Sequence, residues 1–218
     1  MPKKTVRPTK KVSLKPAIAV GLGASAGGTS ALKSFFSHLK NSVSTGYIVV
    51  QHTDARGIAL AHEVLQGFTT LPVVNIKKGL AFKKNEVYLA PPHTFVSIED
   101  GVFQVKSAAS RELGMTVIDH LFKSLADEFT VHAVGVVLSG EGSDGTQGLK
   151  AIGDKGGMTI AQDPSFADNT SMPLSAISTG IVDHVLKVED IPAELKWSFP
   201  KSIGMLPRIK STGFLYSI

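Results

Sequence analysis

Three observations predict a doubly wound α/β fold: a mostly parallel sheet with helices on both faces and a small antiparallel hairpin. Short, continuously apolar runs recur along the chain, as in strands buried on both faces. Segments with helical apolar spacing separate them, as crossover connections between parallel strands require. The long strand-like runs also end in clusters of glycine and small polar residues, where such sheets bind their ligands.

The elements follow in order. Ala17–Leu22 is a buried strand with a glycine-rich exit. Thr29–Leu39 carries apolar residues at 31, 32, 35, 36 and 39, a helical period. Tyr47–Gln51 is a second buried strand, and Ile58–Phe68 repeats the helical spacing. Val73–Ile76 and Val87–Leu89 are short strands. Phe95–Ile98 and Val102–Val105 form a hairpin whose turn holds Asp100-Gly101. Thr116–Phe129 is a helix, Ala133–Leu138 a third long buried strand, and a further helix starts at Gly145. Strands at Met158–Ala161 and Ile181–Leu186, with helices near Leu174–Ile177 and Ile191–Trp197, complete the alternation.

The 218 residues are 43% apolar and 19% charged, enough for one domain with a sizeable core. Cysteine is absent, which excludes disulfides, thiolate metal sites and a cysteine nucleophile. There is no apolar run long enough to span a membrane and no signal-peptide pattern, so a cytoplasmic location is expected. The net charge of +5 is unevenly spread. Residues 1–16 hold six basic residues and residues 197–218 hold three, with no acid in either segment. Residues 17–196 therefore have 14 basic residues against all 18 acids. The reading is a basic N-terminal arm (1–16), a catalytic domain (17–196) and a C-terminal tail or linker (197–218). Without interleaved aromatics or glycines the arm reads as a solvated linker, and no nucleic-acid partner is predicted.

At the exit of the first strand, Gly23-Ala24-Ser25-Ala26-Gly27 matches G-x-S-x-G, a sharp strand-to-helix turn that exposes a serine hydroxyl. Gly21, Gly23 and Gly27 also fit a loose dinucleotide fingerprint, so a dinucleotide-binding or purely receptor-binding module is the alternative. That alternative wants an acid at the end of the second strand, where Gln51-His52 stands instead. A serine nucleophile needs a base. Of seven histidines only His52 and His93 follow strand ends, and His52 lies nearer the first strand. The imidazole needs an orienting partner. The third long strand exits into Ser139-Gly140-Glu141-Gly142-Ser143-Asp144-Gly145, which makes Asp144 the first candidate and Glu141 the second. Asp144 also directly precedes a helix, where an N-cap role is the competing reading. No metal-ligand spacing appears in the sequence.

Together these residues resemble a family. Gly23-Ala24-Ser25-Ala26-Gly27-Gly28, Gln51-His52, Ile118-Asp119-His120-Leu121-Phe122, Leu138-Ser139-Gly140-x-Gly142-x-Asp144-Gly145 and Met172-Pro173 stand in the order and approximate spacing of the catalytic domain of the chemotaxis protein-glutamate methylesterase, CheB. The wording around Asp144 and Ala161-Gln162-Asp163-Pro164 is most similar to CheB domains fused to CheR methyltransferases. The resemblance implies a cofactor-free serine hydrolase. It would demethylate glutamate methyl esters on the cytoplasmic region of chemoreceptors, release methanol, and in many members also deamidate receptor glutamines. Ser25 is then the nucleophile, His52 the general base and acid, and Asp144 the orienting carboxylate. A CheR-type domain is an implied partner, in cis or in trans. Family members commonly carry an N-terminal receiver domain. Only 16 residues precede the first strand here, so phospho-activation is not expected, and the site is either constitutively open or controlled by a partner or fused domain.

Four positions depart from the family pattern. Ala26 replaces a threonine, Thr53-Asp54 replaces Met-Pro, Glu141 replaces a methionine, and Gly114–Asp119 alters an Arg-Pro-Ser-x-Asp motif. Glu141 and Asp54 are expected to lie close to His52 and to favour its protonated form.

Overall fold

The computed structural model describes residues 17–40, 44–52, 62–107 and 116–198. The expected basic arm, most of the expected tail, Asp54 and residues 108–115 lie outside them. A seven-stranded sheet contains β1 (Ile18–Ala24), β2 (Thr45–Gln51), β3 (Val73–Asn75), β4 (Val87–Leu89), β7 (Ala133–Val137), β8 (Met158–Gln162) and β9 (His184–Leu186). Its order is β3-β4-β2-β1-β7-β8-β9, and every neighbouring pair is parallel. A separate antiparallel hairpin pairs β5 (Thr94–Glu99) with β6 (Val102–Ser107). The helices are α1 (Gly28–His38), α2 (His62–Gln66), α3 (Val117–Phe129), α4 (Thr146–Asp154), α5 (Ser171–Ser178) and α6 (Ile191–Ser198).

Both faces of the sheet are covered, which is why its central strands read as unbroken apolar runs. One core joins Leu32, Phe35 and Phe36 of α1, Leu65 of α2 and Ile191 and Leu195 of α6 to the strand residues Val20, Leu22, Val49 and Val136. The opposite core joins Ile118, Phe122 and Leu125 of α3, Leu149 and Ile152 of α4, and Met172 of α5 to Ala19, Ile48, Val50 and Val137. The chain winds from β1 outward through β2 to β3 and β4, then returns to β7 on the other side of β1. That reversal opens a crevice beyond the carboxyl ends of β1 and β7.

Some boundaries differ from the sequence reading, each for a local reason. β1 runs on to Ala24 rather than stopping at Leu22, because its glycines face α3 and need no turn. A side chain at Gly21 would come within 2.7 Å of the Phe122 ring, and one at Gly23 would overlap Ile118. These glycines let α3 lie close against the strand. The last strand is short, beginning at His184 rather than Ile181. The helical run expected at 58–68 is described only from His62 to Gln66.

Candidate active site

Strand register places the first two candidates. Ala24 and Gln51 are partners in the parallel β1–β2 pair, so Ser25 and His52 are the next residues on adjacent strand ends. The His52 amide donates to the Ala24 carbonyl at 3.0 Å, which carries the alignment one residue past the sheet. The Gln51 amide nitrogen donates to Thr29 Oγ1 at 2.9 Å and fastens the end of β2 to α1. The turn from Ser25 into α1 passes through Gly27, whose φ of 74° is left-handed and suits glycine.

The exit of β7 supports the serine from the other side. Ser25 N–H donates to the Ser139 carbonyl at 3.0 Å. The Ser139 hydroxyl donates to the Ala26 carbonyl at 2.9 Å and accepts from Asn169 N–H at 2.9 Å. Ser139 N–H in turn donates to Gln162 Oε1 at 2.8 Å. Gly140 packs directly beneath the serine. A Cβ there would stand 2.8 Å from Ser25 Cβ and would overlap the Met172 sulfur. Ser139, Gln162 and Asn169 are site-building residues that sequence reasoning gave no role. For Ser139 the available signal was a polar residue ending an otherwise apolar strand.

His52 Nε2 and Asp144 Oδ2 are 2.9 Å apart, with the histidine side chain 12% exposed and the aspartate 2%. With Nε2–H donating to the carboxylate, Nδ1 is the lone-pair nitrogen left for the serine. The carboxylate thus meets Nε2, where in the chymotrypsin arrangement it meets Nδ1. The Ser25 hydroxyl and the Ala26 N–H have no hydrogen-bond partner among the described residues. Asp144 does not cap the helix it precedes. Its Oδ2 accepts from Ile118 N–H at 2.9 Å, and its Oδ1 from Asp119 N–H at 2.9 Å and Gly145 N–H at 2.8 Å. Burial works to push the Asp144 carboxyl up, but the His52 hydrogen bond, the amides of Ile118 and Asp119 and the His52 charge outweigh it. The group is held below the ordinary carboxylate range.

The remaining candidates fall elsewhere. Glu141 is exposed and makes no hydrogen bond or ion pair with His52. The expectation that it acts on the base is corrected to this extent: its side chain is exposed to solvent and makes no contact with the buried His52–Asp144 pair. His93 is exposed, has a left-handed φ of 58°, and borders a small cavity together with Val50, His52, Pro91 and Val117. Other histidines are engaged away from Ser25: His62 with the Val73 carbonyl, His120 edge-on to Phe95, and His184 near Glu194. Among the described residues no group of three or more His, Asp or Glu could hold a metal ion. Gly21 and Gly23 are filled against by α3, which removes the glycine cradle a dinucleotide would need.

Residues 20–195 match the model of a family described as CheB methylesterase. The chain belongs to the CheB methylesterase family. A Leptospira interrogans relative, named for protein-glutamate methylesterase and protein-glutamine glutaminase, is 34% identical over 178 residues, covering 81% of this chain and 92% of that protein. A Burkholderia pseudomallei relative named for the same pair of activities is 34% identical over 86% of this chain, which spans about half (55%) of its length. The crystal structure of the Thermotoga maritima CheB methylesterase catalytic domain superposes with a TM-score of 0.71 at 27% identity. That match covers 82% of this chain and 97% of the Thermotoga domain.

Proposed function

We propose that this chain is a protein-glutamate methylesterase that uses Ser25, His52 and Asp144 as nucleophile, base and orienting carboxylate. The observation that carries the reading is the buried His52–Asp144 pair at 2.9 Å, on a strand end in register with Ser25. Family membership supports the reaction class.

In the proposed mechanism Ser25 Oγ attacks the ester carbonyl of a glutamate methyl ester while His52 Nδ1 takes its proton. Asp144 holds the ring by Nε2–H and stabilises the imidazolium. The oxyanion accepts from the Ala26 N–H, the amide that follows the nucleophile and has no partner among the described residues. Collapse breaks the bond to the methoxy oxygen, which leaves as methanol with the proton from His52. Water then attacks the glutamyl–serine ester, again deprotonated by His52, and releases the glutamate carboxylate and the Ser25 hydroxyl. With a glutamine substrate the leaving group is ammonia, the second activity in the relatives' names.

The substrate in this reading is the methylated cytoplasmic region of a chemoreceptor, which places the reaction in the cytoplasm. No described helix is long and apolar enough to cross a membrane. A partner domain of CheR type rests on the sequence resemblance alone; one further relative shows only that a segment like this chain can stand within a much larger protein. In it, a segment 41% identical to this chain makes up 13% of a 104.1 kDa Rhodobacter capsulatus protein. The test is labelling by a fluorophosphonate, which reacts only with an activated serine. Labelling at Ser25, abolished in Ser25→Ala and His52→Ala, is the expected result. No labelling of the folded wild type rejects the proposal.

A further inference from the structure

Asp119 is an acid where an apolar residue belongs. It lies on the buried face of α3 with Val117, Ile118, Leu121 and Phe122, and is 5% exposed. Its carboxylate serves another helix: Oδ1 accepts from Gly148 N–H, in the first turn of α4, at 2.7 Å. The reverse connection comes from Asp144, just before α4, which accepts the Ile118 and Asp119 amides in the first turn of α3. Neither helix caps itself, for Thr116 and Gly145 at their N-caps make no side-chain cap bond. Each helix start is instead satisfied by a carboxylate from the other.

The packing is cut to fit this exchange. A Cβ at Gly148 would lie 3.1 Å from Asp119 Cα and 3.2 Å from its carbonyl oxygen, and would overlap Phe122 Cβ. Only glycine lets the α4 amide reach the Asp119 carboxylate. The arrangement has an electrostatic cost. Burial, joined by the charge of Asp144, raises the Asp119 carboxyl above its ordinary range, against the Gly148 and Gly145 amides and Lys123. An apolar side chain would avoid that cost but would leave the Gly148 amide unpaired.

We infer that Asp119 is a positioning residue for the reaction. By locking the start of α4 against the start of α3 it aims two α3 amides at Asp144, and so holds the carboxylate that orients His52. This inference rests on the proposed roles of Ser25, His52 and Asp144.

The test uses the full chain and measures the rate of fluorophosphonate labelling at Ser25 per folded molecule. It is read beside kcat and KM on a small methyl ester and the NMR signal of the His52 Nε2–H proton. Asp119→Ala is expected to label about 10- to 100-fold more slowly, with KM unchanged and the Nε2–H signal lost to exchange. Asp119→Asn, which keeps the Oδ1 acceptor, is expected to stay within about threefold of wild type, about 0.65 kcal/mol. Gly148→Ala leaves Asp119 intact but moves the donor away; it is expected to behave like Asp119→Ala, and it carries the test if that variant does not fold. Wild-type labelling with an undisturbed Nε2–H signal in Asp119→Ala or Gly148→Ala overturns the inference, as does a loss in Asp119→Asn equal to that in Asp119→Ala. If the wild type itself is not labelled, the triad reading fails first and the inference falls with it.

Discussion

On the α5 side of the crevice, Ser25 is held by short hydrogen bonds through Ser139 to Ala26, Gln162 and Asn169. Ser139 and Gln162 are buried, and only Asn169 comes from the segment after β8, which is partly open to solvent with Phe166 53% exposed. On the α3–α4 side, His52 is held through one carboxylate whose side chain is 2% exposed, packed where two helices cross-cap each other. The nucleophile is thus held by several bonds that spread from buried Ser139 out to a partly exposed segment at Asn169, whereas the base is held through a single buried carboxylate. Disturbing the first wall should displace the serine and leave the imidazole paired. Disturbing the second should uncouple the imidazole and leave the serine's backbone in place.

The largest expected effects remove the groups that the walls carry. Ser25→Ala and His52→Ala should each lower kcat about 10⁴-fold or more, and the double variant should be little worse, because such residues act as a unit. Steady-state kinetics on a small methyl ester checks this, and additive losses would separate the two residues.

Asp144→Asn should cost about as much, near 10⁴-fold, since it removes the acceptor that fixes the ring. It should also change the acid stability of the fold. The folded pKa of Asp144 is depressed, so its contribution is present above the unfolded value of about 3.9 and is lost as pH falls through the folded value. Urea unfolding between pH 2 and 6, a window of about four units chosen around that value, should show a flatter loss of stability in the variant. Asp119 has the opposite sign. Its raised pKa means that its contribution is full below the unfolded value and falls as pH rises through the folded one.

The α5-side wall gives the next effects. Gly140→Ala puts a Cβ 2.8 Å from Ser25 Cβ, and should lower kcat about 100-fold by misplacing the nucleophile. The His52 Nε2–H signal should survive this change, which separates it from any variant of the other wall. Ser139→Ala removes one donor and leaves the Asn169 amide short of an acceptor, and should cost about 1–3 kcal/mol in urea unfolding. The smallest effect is expected for Glu141→Gln. Its exposed side chain does not touch His52, so kcat/KM on a small ester should stay within about twofold, under half a kcal/mol.

The two walls also differed in how far the sequence revealed them. Ser25 was legible because a strained turn needs small neighbours, and Gly23, Ala24, Ala26 and Gly27 provide them in one local run. His52 was legible because parallel strands bring their carboxyl ends to one edge. The sheet and its flanking helices were legible for a similar reason, since apolar periodicity is local and burial on both faces is uniform. The partner of Asp144 was less so. Its backbone donors come from Ile118 and Asp119, 25 or 26 residues upstream, and only the docking of α3 on α4 brings them together. Glu141 was misjudged because nearness in sequence was taken for contact in space, while its side chain is exposed and unpaired with His52. Gly21 and Gly23 looked like a ligand cradle, yet they serve the packing of Phe122 and Ile118.

The central claim is that Ser25 opens a glutamate methyl ester with His52 as its base. The most direct measurement is methanol released from a methylated chemoreceptor fragment by the wild type and by Ser25→Ala, at equal concentrations of folded protein. The account predicts steady release by the wild type, and release by Ser25→Ala indistinguishable from fragment alone. Equal release by the two proteins, or none by a folded wild type, would contradict it.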